Sequence, residues 1–127
     1  MSVPARVRPH LMLQGGVAAD AVALWTRAFA NLIATPPGDS PAALWHLALG
    51  DQDFTLFDSP QPHEFAPTPS WSFMVDVDQA ADVDAIIAIL SEGGAVIMPP
   101  DGYPFAQRFC WVEDRFGISW QLRFGPA

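Results

Sequence analysis

Asp114-Arg115-Phe116-Gly117-Ile118-Ser119-Trp120-Gln121-Leu122 reads as a tight turn that opens directly into a strand. Asp can hydrogen-bond its own following backbone, and Gly supplies a backbone angle that other residues resist. From Ile118 the chain alternates. Ile118, Trp120 and Leu122 fall on one side, and Ser119, Gln121 and Arg123 on the other. A strand whose apolar side packs on a helix would leave Gln121 on its free side.

Working outward from this segment, two helices stand out. Residues 79–92 place Val83, Ile86, Ile87 and Leu90 on one stripe. Asp78 is the expected N-cap, and Gly93-Gly94 the expected stop. Residues 17–30 repeat the pattern with Ala21, Leu24, Trp25 and Ala28. Strands are predicted at 9–14, 43–49, 53–57, 71–77, 95–98, 108–112 and 118–124. The stretches 35–41 and 98–105 read as loops.

The two halves align at an offset of 62 residues. Leu11-Met12-Leu13 falls on Phe73-Met74-Val75, and Ala18-Ala19-Asp20 on Ala80-Ala81-Asp82. Each helical stripe lands on the other without a gap. The pattern predicts one α+β domain over 1–127, made of paired βαβββ units at 8–58 and 70–124. A Pro-rich connector, 58–70, joins them. The expected result is a curved eight-stranded sheet with a cleft.

Composition limits the function classes. The net charge is −8, with six arginines and no lysine, which disfavours binding to nucleic acid. No apolar run approaches the roughly 20 residues of a membrane helix, and no signal peptide is read. The lone Cys110 excludes an internal disulfide framework and fits a cytoplasmic setting. Cys110 itself reads as a buried, inert thiol. No Gly-rich phosphate loop is recognised, and nothing resembles a methyl-donor-binding Rossmann half.

The run from Tyr103 to Leu122, with Asp114-Arg115-Phe116-Gly117 and Trp120-Gln121 at its end, resembles the closing segment of a known family. This is the PhnB-like branch of the vicinal-oxygen-chelate superfamily, often labelled demethylubiquinone methyltransferase-like. The likeness is good from about Trp71 onward and looser over His10 to Phe29. It implies the glyoxalase-like fold, a homodimer, and a small-molecule cleft.

The resemblance also implies four metal-ligand positions. They fall on His10, Ser72, Gln121, and either Thr55 or Phe57, with Asp58 out of phase unless a bulge re-aims it. Neutral Ser and Gln bind transition metals poorly. The expectation is therefore no cofactor and no conventional metal site. His10 with Asp58 would form an acid–base pair only if the fold joined them. His46 reads as half-buried or surface, and His63 as solvent exposed.

The candidate pocket residues are His10, Tyr103, Phe105, Arg108, Trp111 and Gln121. Against this, Phe105 and Trp111 could be core, and Tyr103 a cap on its loop. Three functions follow from the resemblance: metal-free small-molecule binding, sequestration of a cationic drug as in bleomycin-resistance proteins, or metal-dependent lyase, isomerase or dioxygenase chemistry.

Overall fold

In a computed structural model of the chain, which describes residues 2–40 and 42–126, both apolar stripes form helices. Helix α1 spans Ala18–Ala28 and buries Ala21, Val22, Leu24, Trp25 and Ala28. Helix α2 spans Ala80–Leu90 and buries Val83, Ile87 and Leu90. Pro41, at the far end of the 35–41 loop, lies outside the described residues. No described helix is long and apolar enough to cross a membrane.

The chain divides into two compact units, one up to Glu64 and one from Phe65 on. The first runs β1 (His10–Gln14), α1, β2 (Ile33–Thr35), β3 (Trp45–Leu49) and β4 (Gln52–Ser59). The second runs β5 (Phe73–Asp76), α2, β6 (Ala95–Tyr103), β7 (Ala106–Glu113) and β8 (Ser119–Phe124). The α+β class, the βαβββ order and the eight strands are as expected. The strands form two sheets of four, ordered β1-β4-β3-β2 and β5-β8-β7-β6.

In each unit the first strand lies parallel to the last. A parallel pair needs a crossover connection, and a helix begins it here. The helix covers one sheet face. In the first unit Trp25 of α1 meets Phe54 of β4 at a ring separation of 6.5 Å. In the second, α2 packs on β7 and β8. There Trp120 is fully buried and stacks on Phe73 at 4.8 Å. A fully buried Leu or Phe adds about 1.5–3 kcal/mol, so these faces supply the main driving force.

The Asp114 turn pins β7 to β8. Its carboxylate is buried and accepts from the backbone N–H groups of Phe116 and Ile118 at 2.9 and 3.0 Å. Its other oxygen accepts the Trp120 indole N–H at 3.0 Å. Gly117 holds a φ of +87°, as its place in the turn requires. Gly94 has a different role. A Cβ there would lie 2.3 Å from the Glu113 carbonyl oxygen, so only glycine lets these two backbones meet.

Several local expectations need correction. Gln79, not Asp78, is the N-cap of α2, and no side chain caps it. Thr35 ends a short strand instead of starting a loop, and β2 had no periodicity to reveal it at three residues. The 98–105 loop is largely strand, because β6 continues through Pro99 and Pro100 to Tyr103 with three register shifts. Beyond Ser59, where β4 ends, the connector begins.

Asp114→Ala should leave three donors without this acceptor, two of them buried. At about 1–3 kcal/mol for each buried group, urea unfolding should show a loss of about 2 kcal/mol or more. Trp120→Phe removes one of the three bonds and should cost clearly less.

Candidate functional site

Strand alternation gives each sheet a helix-covered face and an open face. On the open face of the first sheet His10 lies opposite Thr55, and His46 is opposite Thr55 on the other side. His10 Nδ1 and Thr55 Oγ1 are 2.7 Å apart. Thr55 is thus the residue of β4 that shares the His10 position, and Phe57 lies two residues further along the same face.

No register shift in β4 re-aims Asp58. Its carboxylate turns to the helix side and accepts the N–H groups of Gly16 and Ala18 at 3.0 and 2.9 Å. Asp58 therefore caps the start of α1, and the His10–Asp58 acid–base pair does not form. His63 is half-buried, not solvent exposed. Its Nε2 lies 3.0 Å from the buried Ser59 hydroxyl, and its backbone is held by the Gln14 side chain. His46 is exposed.

The open face of the second sheet carries a hydrogen-bonded polar cluster. Gln121 Nε2 donates to Ser72 Oγ at 3.2 Å. The Ser72 and Ser119 hydroxyls share a bond of 2.6 Å. The half-buried Trp111 indole donates to Ser119 Oγ at 2.8 Å. Ser119 was visible as a neighbour of Gln121 by alternation, but nothing in sequence marked it as the junction of the cluster.

Beside this cluster lies an aromatic group. Tyr103 stacks on Phe105 at 5.6 Å, and both meet the Phe109 ring edge-on at 5.7 and 4.9 Å. Tyr103 also caps its own turn, donating its hydroxyl to the Pro99 carbonyl at 2.7 Å. Phe105 remains substantially exposed. Phe109 shares its face with Trp111, two residues along β7.

Arg108 is not with these residues. It alternates with Phe109 and Trp111 onto the helix-covered face, where it makes a two-point ion pair with Asp84 of α2 at 2.6 and 3.1 Å. The hydrogen bond from Arg108 holds the Asp84 carboxyl below its ordinary value, and that same bond raises Arg108 further. The second unit therefore brings together Tyr103 and Phe105 in one group and Trp111 and Gln121 in another. His10 belongs to the first unit. Among the described residues, no three His, Cys, Asp or Glu side chains cluster in a way that could hold a metal ion.

Residues 5–123 match the family described as 3-demethylubiquinone-9 3-methyltransferase. No curated protein matches the chain in sequence. Among solved structures, a Bacillus cereus PhnB protein, described as a candidate 3-demethylubiquinone-9 3-methyltransferase, is 28% identical. It has a TM-score of 0.84, covering 94% of this chain and 99% of its own. A glyoxylase/bleomycin resistance protein/dioxygenase domain from a Frankia species is 14% identical, with a TM-score of 0.71, covering 98% and 93%. The fosfomycin resistance protein FosX from Mesorhizobium loti is 12% identical, with a TM-score of 0.67, covering 98% and 94%.

Cys110 is fully buried on the helix-covered face, and burial pushes its thiol from 9.0 up to about 11. The folded state thus keeps its proton where the unfolded state has lost it. That contribution is complete below pH 9 and disappears as pH rises through about 11. Native protein should resist thiol alkylation at pH 8 and react once denatured. Its unfolding midpoint should fall between pH 9 and 11, and Cys110→Ala should reduce that fall.

Proposed function

The chain belongs to the PhnB-like, 3-demethylubiquinone-9 3-methyltransferase-like family of the glyoxalase/bleomycin resistance/dioxygenase superfamily, and we propose that it binds a small molecule on its open sheet faces without a divalent metal. The observation that carries this reading is the Ser72–Ser119–Gln121–Trp111 cluster. Positions where the family likeness implies metal ligands hold a hydroxyl and a neutral amide, bonded to each other. Three of the four hydroxyl lone pairs on Ser72 and Ser119 already accept N–H or O–H bonds. His10 turns one ring nitrogen to Thr55. These residues do not fit a conventional divalent site.

The ligand in this reading is flat or partly apolar. Tyr103, Phe105 and Trp111 supply ring surface, and Gln121 supplies the polar contact that orients it. Methyl transfer is not part of the reading. The one strand-to-helix turn with paired glycines, Gly15-Gly16, leads into a helix start that Asp58 already occupies.

The net charge of −8 favours a second reading, sequestration of a cationic drug-like ligand. In either case the chain works as a homodimer, which would cover the exposed Trp71, Met74, Val96 and Ile97.

Dialysis against zinc, nickel or manganese should leave far less than one equivalent bound. Stoichiometric metal that disappears in His10→Ala and Gln121→Ala would overturn the metal-free reading. Titration with 1-naphthol, followed by tryptophan fluorescence, should saturate and weaken about tenfold in Gln121→Ala, the loss of one hydrogen bond of about 1.4 kcal/mol. Bleomycin binding that saturates and fades with added salt would select the second reading. Light scattering should give twice the chain mass, and a monomer would remove the dimer.

A further inference from the structure

We propose that the open face of the first unit carries an oxyanion site, built from first-unit residues alone, that takes a phosphate group. It is independent of the aromatic face of the second unit. A depression of about 180 Å³ is lined by Arg6, Arg8, Ile33, Thr35, His46 and Asp53, among others. Sheet register puts most of its strand residues, Ile33, Thr35, His46, Ala48 and Asp53, on one side. Thr35 lies opposite His46, Ile33 opposite Ala48, and Ala48 opposite Asp53.

The chain before β1 brings the arginines there. The Thr55 N–H donates to the Pro9 carbonyl at 3.0 Å, so the preceding residues continue alongside β4. Arg6 pairs with Asp53. The side chains of Arg8, Thr35 and His46 have no hydrogen-bond or ion-pair partner among the described residues.

Two arginines and one aspartate thus line the hollow, in a chain where 14 acidic residues outnumber six basic ones. A cationic hollow in an anionic molecule concentrates an anion against the overall field. Its donors are arginine forks, a hydroxyl and an imidazole. They come from three parts of the unit, the N-terminal segment, β2 and β3. That suits the several oxygens of a tetrahedral phosphate better than the two of a flat carboxylate. Size agrees. Liquid water occupies about 30 Å³ per molecule, so the hollow has room for a phosphate and a few attached atoms. It is smaller than the roughly 300–1,000 Å³ typical of pockets for drug-sized ligands.

The test is calorimetric titration of the intact protein with inorganic phosphate at low ionic strength. One equivalent should bind saturably. Arg8→Gln should weaken binding at least tenfold. Arg8 lies outside every helix and strand, so its circular dichroism should be unchanged. Asp53→Asn removes the competing carboxylate and frees Arg6, and should tighten binding several-fold. A merely structural ion pair would not give that gain. Three results would overturn the proposal: no saturation, saturation indifferent to both substitutions, or acetate binding as tightly as phosphate.

Discussion

Parallel pairing of the first and last strand of each unit is the constraint on which the rest depends. It forbids a short hairpin between them and requires the chain to leave and return by a crossover. The helix in that crossover takes the apolar stripe read from sequence and seals one face. What remains is a second face, on which the parallel partners meet side by side. His10 meets Thr55 there in the first unit, and Ser72 meets Ser119 in the second. The same topological demand therefore creates both the core and the polar seams.

The two seams have different chemistry on one frame. In the first, an imidazole faces a hydroxyl, with arginines arriving from the N-terminal segment. In the second, two hydroxyls, an amide and an indole are joined, with stacked rings nearby. Asp58 and Arg108 show how the covered faces are tied by charge. One closes a helix start and the other clamps α2 to β7. Their side chains are committed to holding the fold, which is why neither reaches an open face.

Both helices were legible because 3.6-residue periodicity reports burial directly, and Trp25 and Trp120 fell on the faces their spacing assigned. The Asp114 turn was legible for a similar reason, since Asp and Gly each have a local backbone task. β2 was not, because three residues are too few to show a period. β6 was not, because Pro99 and Pro100 signal a loop locally while pairing with β7 carries the strand past them. On the site, alternation along the last strand put Gln121 on the free side. Alternation along β7 separates Arg108 from Phe109 and Trp111, but a cation beside aromatic residues in sequence looks like a pocket member. Asp84, its partner 24 residues away, could not be seen from local pattern.

The irregular course of β6 bears on how the molecule avoids its own copies. β6 is one of the two outer strands of the second sheet, and an outer strand with free backbone groups is a template for fibril growth. Two adjacent prolines remove donors from that rim, and three register shifts twist it out of a straight ladder. Continuous strand addition along that side is thereby blocked. The rim that looked like a loop in sequence acts as a guard against aggregation.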